Sequence, residues 1–321
     1  MRQKHKTAII ILISIVLVSF IAFILSLDTL FNVDEETKKA SDMQKKSLVY
    51  FDDKPYKPKK TVNYLLVGID NEGELKESGT YLNTSLNDFV VLVSFNLTDK
   101  TFFILPINRD TICRVYSIGL TGKILGYTET QLAYAHTEGN GLKESFRNTK
   151  RSVSELLFNL DIERFVGCNM TAVPIVNDYV GGITLTLEED LTPINEEWTQ
   201  GATITLMGDD SIKFVRARRE VSDGTNVSRM ARQKQYVNAL IKKIRENDYS
   251  QAEILSLVEK YICHNMVNAD FIELKSYLQT YTYIGTKEIE GTTRINNELM
   301  EFIPDQEKLK QLVIELFYNE A

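Results

Sequence analysis

Apolar positions along the chain follow three patterns. Residues 8–27 (AIIILISIVLVSFIAFILSL) form one apolar run without charge, Gly or Pro. At about 1.5 Å rise per residue, twenty such positions span the hydrocarbon layer of a bilayer, which predicts one N-terminal transmembrane helix. Short apolar runs with polar borders follow at 62–69 (VNYLLVGI), 89–95 (FVVLVSF) and 101–107 (TFFILPI), and each predicts a buried strand. Further strands are predicted at 183–187, 212–218 and near 286–294. Helical spacing appears in 141–159, where Leu142, Phe146, Val153, Leu156 and Leu157 recur on one face. A shorter helix at 171–180 has Thr171 as a candidate N-cap and Gly181-Gly182 as its stop. More helices are predicted at 228–247, near 250–262 and 270–282, and at 305–318. Strands and helices interleave, so the fold class is α/β, with a central mixed sheet flanked by helices.

The flanks of the apolar span set its orientation. Arg2, Lys4 and Lys6 precede it, and Asp28, Asp34, Glu35 and Glu36 follow. The positive side stays in the cytoplasm, which predicts a single-pass cell-membrane protein with its C-terminal domain outside. A cleaved signal peptide would have a shorter apolar region and small residues at a cleavage site. Neither is evident, so the span is read as an anchor. The expected organisation is a cytoplasmic tail at 1–7, an anchor at 8–27, an extracytoplasmic stalk at 28–61 and one globular domain at 62–321. Segment 33–61 is rich in Lys, Glu and Asp and contains Pro55 and Pro58.

Composition narrows the chemistry. Three cysteines, Cys113, Cys168 and Cys263, have no metal-ligand spacing, and three scattered histidines give a Ser-His-Asp triad little material. The charge pattern is more informative. Residues 213–234 (KFVRARREVSDGTNVSRMARQK) carry seven basic residues against two acids, in a chain whose net charge is −7. Five arginines concentrated in an otherwise acidic protein suit fork-like contact to the oxygens of a multiply charged anion. The cytoplasmic segment is too short to bind DNA and the basic stretch lies beyond the membrane, so no nucleic-acid partner is expected.

Local geometry sharpens this reading. The hairpin between 89–95 and 101–107 turns near residue 98, so opposed residues sum to about 197 and Asp88 faces Arg109. Asp70 ends its strand, and with a suitable neighbour it would share one sheet edge with Asp88, Arg109 and Asp110. Each acid is equally a common turn former. In a strand at 212–218, Arg216 and Arg218 would point the same way. In the following helix, Arg229 and Gln233 lean toward the interior near an N-terminus, where phosphate is favoured. Pairing of Arg229 with Glu220 or Asp223 is the structural alternative.

The segments NYLLVGID (63–70), NDFVVLVSFNLTDKTFFILPINRDT (87–111), QLAYAHTEGNG (131–141), VPIVNDYVGGITL (173–185), LMGDDSIKFVRARR (206–219) and SRMARQKQ (228–235) occur in an order that resembles the LytR-CpsA-Psr family of membrane-anchored cell-wall phosphotransferases. The resemblance implies a Gram-positive bacterial source and an apolar tunnel for a polyprenyl chain with a pyrophosphate at its mouth. It implies transfer of an anionic glycopolymer, a teichoic acid or a capsular or secondary wall polysaccharide, from a polyprenyl-pyrophosphate carrier to a peptidoglycan hydroxyl. By the same resemblance Asp70 and Asp88 hold Mg²⁺ (Mn²⁺ also fits), and Arg109, Arg216, Arg218, Arg229, Arg232 and Gln233 bind the pyrophosphate. Asp88, Arg109 and Asp110 are the catalytic candidates, with Asp88 ahead of Asp110 as base. Four positions depart from the family pattern: Leu86 stands where Arg is usual, Asn108 where Pro is usual, Asn226 where Asp is usual, and the loop from Asp70 to Asp88 is long. These departures support an alternative, a non-catalytic carrier-binding protein or an envelope regulator.

Overall fold

A computed structural model of the chain describes residues 48–76, 85–139, 141–218, 221, 226–297 and 299–321. The expected tail, the anchor at 8–27 and the stalk up to residue 47 lie outside them. Among the described residues no helix is long and apolar enough to cross a membrane. The described residues up to Pro58 together with Tyr318–Ala321 form one small unit, and Lys59–Phe317 form the other.

The described part of the segment expected as a stalk contains regular structure. Val49–Phe51 and Lys54–Pro58 are antiparallel strands, and Tyr318–Glu320 adds a third. Phe51 meets the rings of Tyr56 and Tyr318 edge-on at 5.7 and 5.2 Å. Tyr50 and Phe51 precede the turn Asp52-Asp53 and Tyr56 follows it, a short aromatic pattern that the overall charge of the segment obscured.

The large unit is built on a six-stranded sheet. Its strands are β1 (Thr61–Ile69), β2 (Asn87–Asn96), β3 (Thr101–Pro106), β4 (Arg164–Asn169), β5 (Ile262–His264) and β6 (Thr282–Thr286). Their spatial order is β5-β4-β1-β2-β3-β6. β1 pairs antiparallel with β2 and parallel with β4, so the sheet is mixed. β1 sits at the centre with most of its side chains buried on both faces, which explains its continuous apolar run.

The β2–β3 hairpin has the predicted register, from Val91 opposite Pro106 to Asn96 opposite Thr101. Its turn follows from local chemistry. Asn96 Oδ1 accepts the N–H groups of Thr98 and Asp99 at 2.9 and 3.0 Å, and Lys100 takes φ +52° to close the turn. Between β1 and β2 the register slips by one residue after Gly68. Asn87 pairs with Ile69 and Phe89 with Gly68, so Asp88 is the extra, bulged residue.

Helices cover both faces. They are α1 (Leu142–Leu156), α2 (Ala172–Tyr179), α3 (Asp209–Arg216), α4 (Asn226–Glu246), α5 (Gln251–Val258), α6 (Asn268–Thr280) and α7 (Gln306–Phe317). On one face Phe146 of α1 stacks with Phe165, and Phe317 of α7 meets Phe103. On the other, Val237 and Ile241 of α4 and Leu274 and Leu278 of α6 pack on a cluster around Tyr64, Val93, Phe95 and Phe102. A second core gathers Trp198, Leu206, Phe214 and Tyr236 around the hairpin Ile183–Thr186/Thr203–Leu206. α2 stops where expected, at Gly181-Gly182, both with φ +79°.

The predicted strand at 212–218 is instead α3. Gly208 at φ +49° starts it, and Asp209 and Asp210 in its first turn favour the positive end of the helix dipole. Ser211 and Phe214, three residues apart, form its buried side. The apolar residues Ile212, Phe214 and Val215 read as β-rich, while the helix start lay just upstream. The strand-like run near 286–294 also resolves differently, into β6 and the antiparallel pair Gly291–Asn296/Leu299–Pro304. A further hairpin, Ile112–Ile118/Ile124–Gln131, had no sequence-based expectation. Its second strand is almost wholly exposed and has no apolar alternation to betray it.

Candidate active site

The site forms at the ends of β1 and β2, where the bulge and α4 meet. Asp88 stands between two guanidiniums. Arg109 pairs with its Oδ1 and also reaches the Asn87 carbonyl at 3.4 Å. Arg229 Nη1 approaches the same Oδ1 at 3.4 Å. The side chains of Asp88, Arg109 and Arg229 are 11, 17 and 7% exposed, so water screens little of this charge. Asn87 fixes the platform from below: its Nδ2 donates to the Leu132 carbonyl at 2.9 Å and to Thr149 of α1 at 3.1 Å.

Asp70 reaches the same sheet end by a backbone route. Leu86 N–H donates to Asp70 Oδ1 at 2.7 Å, and Asp70 N–H donates back to the Leu86 carbonyl at 3.2 Å. Leu86 therefore joins the two carboxylate positions through its main chain. Asp110 is deeply buried, with Arg109 Nε at 3.5 Å and Gln131 Nε2 at 3.4 Å from its Oδ1. Its Oδ2 is buried without a hydrogen bond. Asp110 thus backs Arg109, and Asp88 is the carboxylate that lines the open space.

Burial first, and then the charges of Arg109 and Arg218, push the proton affinity of Arg229 down to about 10. Few surroundings lower an arginine. This one holds a surplus of positive charge in a half-closed space, which a bound anion would relieve. Arg216 ends α3, half exposed, 3.5 Å from Glu72. Because 209–216 is helical, Arg216 and Arg218 do not share a face through strand alternation, as had been expected. They reach the site through the helix end and the chain leaving it.

Arg232 is placed differently from the rest of its predicted set. Its guanidinium is buried, 2.5 Å from Glu189, and also donates to the Ala217 carbonyl. These contacts occupy it in holding α4 against the chain after α3. Gln233 Nε2 donates to the Val215 carbonyl at 3.3 Å, and Gln233 lines the cavity described next.

Between the sheet and helices α4 and α6 lies a cavity of about 310 Å³. Tyr64, Leu66, Val93 and Val166 line it from the sheet, and Val237, Leu240, Ile241, Ile244, Leu274 and Leu278 from the helices. Its charged lining residues are Asp88, Arg216 and Arg229. A narrower crevice shares Asp88 and Gln233 and adds Arg109, Asn226 and Lys234. A greasy hollow with guanidiniums and one carboxylate in its wall suits an amphiphile with an anionic head.

Asp70 and Asp88 at one sheet end are hard oxygen donors of the kind Mg²⁺ or Mn²⁺ accepts, and Mg²⁺ needs only one or two carboxylates beside water and phosphate. Among the described residues no three His, Cys, Asp or Glu side chains form a closed metal cluster. Two carboxylates are within the number required by an ion whose remaining shell is water and phosphate.

Asn108 and Asn226 were visible in sequence only as departures. In the fold Asn226 Nδ2 donates to Asn108 Oδ1 at 2.6 Å beside Arg229. Glu189 carried no sequence signal at all, because its partner Arg232 lies 43 residues away.

Fold and site thus define an α/β protein with an arginine-bearing end on an apolar cavity. The LytR_cpsA_psr family matches residues 25–317, and the chain belongs to that family. An uncharacterized protein of Staphylococcus aureus is 26% identical over 269 residues, which are 81% of this chain and only 62% of that protein. The polyisoprenyl-teichoic acid–peptidoglycan teichoic acid transferase TagU of Oceanobacillus iheyensis is 26% identical over 268 residues, 81% of this chain and 77% of that one. The Bacillus subtilis protein YwtF (TagT), solved with bound octaprenyl pyrophosphate lipid, shares the fold with a TM-score of 0.59 at 23% identity. That match covers 84% of this chain and 93% of the other.

Proposed function

We propose that this chain is a membrane-anchored phosphotransferase. It would move an anionic glycopolymer, a teichoic acid or a related wall polysaccharide, from a polyprenyl-pyrophosphate carrier to a hydroxyl of peptidoglycan. The observation that carries this reading is the apolar cavity whose wall includes Asp88, Arg216 and Arg229. The cavity takes the prenyl chain, and the guanidiniums take the diphosphate.

The acceptor hydroxyl attacks the phosphorus that bears the glycan. Its P–O bond to the bridging oxygen breaks, and polyprenyl phosphate leaves with the electron pair. Asp88, which lines both the cavity and the adjoining crevice, takes the hydroxyl proton. Arg109 and Arg229 stabilise the charge that grows on the leaving phosphate, with Arg216 and Arg218 adding to the field. Asp110 orients Arg109 from behind. Asp70 and Asp88 would hold Mg²⁺ or Mn²⁺, which supplies positive charge to the diphosphate oxygens when bound. Arg232 serves the site indirectly by fixing α4.

The test uses the full chain in detergent with Mg²⁺, a polyprenyl-pyrophosphate-linked glycan and peptidoglycan. Release of polyprenyl phosphate coupled to polymer attachment is expected. Tight donor binding with no release across several acceptors would sink the catalytic reading and leave a carrier-binding protein, the alternative that Leu86 suggests.

A further inference from the structure

We propose that a polar cavity over α1 is a second site, which takes a saccharide bearing a singly charged anionic group, a carboxylate or a phosphodiester. The binding claim stands on this cavity alone, and its place in the reaction rests on the transfer proposed above.

The cavity follows from local sequence. Arg147, Lys150, Arg151 and Ser154 stand at i, i+3, i+4 and i+7 of α1, so they share one face of the helix. Phe146, Thr149 and Val153 are buried on another. Past the helix end, Phe158 and Asn159 take φ +58° and +61°, which reverses the chain. Ser154 Oγ donates to the Leu160 carbonyl at 2.6 Å and Lys150 Nζ to the Ile162 carbonyl at 3.0 Å, so the returning segment closes one wall. Tyr116, from the hairpin Ile112–Ile118/Ile124–Gln131, closes another. The space between is about 370 Å³, within the usual size of a small-ligand pocket. Among the described residues, none lines both it and the cavity or crevice of the candidate active site.

Like charges at these helical spacings oppose one another unless anions stand between them. The protein meets that need only in part. Glu144 lies 3.5 Å from both Arg147 and Arg151. Glu155 is engaged elsewhere: Arg114 holds it at 2.7 Å, and the Tyr116 hydroxyl donates to it. Lys150 has the Ile162 carbonyl, one acceptor for three ammonium donors. Burial lowers its proton affinity; Asp161 and Glu163 raise it in part, and Arg147 and Arg151 lower it again.

The lining also selects the ligand. Asp161 in the wall repels a compact, multiply charged anion such as free phosphate, but it accepts from hydroxyls. A singly charged group against Lys150 and Arg147, with sugar hydroxyls toward Asp161, satisfies both signs. Two saccharides of the proposed reaction have that character: the peptidoglycan acceptor carries carboxylates, and a teichoic acid carries phosphodiesters. Either one, held here, is tethered to the protein outside its reacting end.

The full chain in detergent is titrated with muramidase-released peptidoglycan fragments, with a glycerol phosphate oligomer and with uncharged chitotetraose. At least one anionic probe should bind, the tighter of the two identifying the source, and chitotetraose should bind far more weakly. Lys150→Met and Arg147→Gln should each weaken that binding by about tenfold, as for the loss of one charge-assisted hydrogen bond. Arg147 is half exposed, so its variant folds even if Lys150→Met does not. In both variants the affinity for geranylgeranyl pyrophosphate should stay within twofold of the parent, which separates the two sites. The proposal is overturned if neither anionic probe binds, if chitotetraose binds as well as they do, or if Arg147→Gln keeps the parent affinity. Saccharide binding that is abolished by saturating geranylgeranyl pyrophosphate overturns it too, by placing the glycan in the active site. A parent chain that binds the saccharide but transfers no polymer would fell the proposed function and leave this site standing.

Discussion

Arg229→Gln separates charge from architecture at the centre of the site. The parent guanidinium makes 2.6 and 3.1 Å contacts to Asn226 and a 3.4 Å approach to Asp88. Removing one partner of a buried ion pair ordinarily costs about 3–5 kcal/mol of stability. Here Asp88 keeps Arg109, and the Arg229 charge is itself disfavoured by burial and by Arg109 and Arg218. What remains is one acceptor on Asn226 losing its donors, a cost of about 1–3 kcal/mol. At about 2–4 °C per kcal/mol for a domain of this size class, the thermal midpoint should fall by only a few degrees. Catalysis should suffer far more. A preorganised charge stabiliser is worth about 2.7–4 kcal/mol of barrier, so turnover should drop about 10²–10³-fold. Single-turnover release of polyprenyl phosphate measures the rate, and calorimetry measures the midpoint. Turnover within threefold of the parent would refute the reasoning. A midpoint loss well beyond ten degrees that tracks the activity loss would refute it equally, by making Arg229 a structural partner.

Arg232→Met should do the opposite: it strips a buried cation from Glu189 and the Ala217 carbonyl, and urea denaturation should show a loss of about 3 kcal/mol, while a stable variant with weakened diphosphate binding would return Arg232 to the ligand set. Ile241→Trp, which fills the apolar cavity, should weaken binding of geranylgeranyl pyrophosphate but leave inorganic pyrophosphate unaffected; equal losses for both probes would show that the cavity does not hold the tail. His136 is fully buried, and burial lowers its proton affinity from the usual 6.5 to about 3. Between those values the unfolded chain binds the extra proton, so stability falls as pH drops below about 6.5, with a slope of up to about 1.4 kcal/mol per pH unit. His136→Leu should remove that component from a pH series of denaturation midpoints, and an unchanged slope would contradict it.

Much of this site could be read from the chain because it rests on short-range geometry. The β2–β3 register follows from one tight turn, and it alone places Asp88 opposite Arg109. The helical spacing in 228–247 turns Arg229 and Gln233 inward, and both line the cavity. What failed depended on context. Ile212–Arg218 has strand-like apolar content, but Gly208 and the two aspartates after it start a helix, so Arg216 and Arg218 arrive by another route. Arg232 shares its segment with Arg229, yet three residues along a helix carry it to a different neighbour, Glu189. Asn108 and Asn226 stood out singly as departures from the family pattern. That they touch across 118 residues is a fact of the tertiary fold, which no local pattern encodes.

Asp88 has two roles that pull in opposite directions, and this gives a test of the whole arrangement. In the free protein it pairs with Arg109 and Arg229, so it occupies the donors that a diphosphate would use. It acts as an internal stand-in for the ligand and keeps a cluster of like charges from repelling itself apart. On the proposed function, binding would exchange one anionic partner for another, and Asp88 would be released to meet the incoming hydroxyl. Asp88→Asn removes the competitor without changing the shape of the site. In the absence of divalent metal, pyrophosphate affinity should therefore rise, by about tenfold if one charge-assisted contact of about 1.5 kcal/mol is freed. Turnover with metal present should collapse, because the proposed proton acceptor and proposed metal ligand are lost together. Metal-free affinity that falls in this variant would mean that Asp88 supports the ligand instead of competing with it, and the exchange would have to be abandoned.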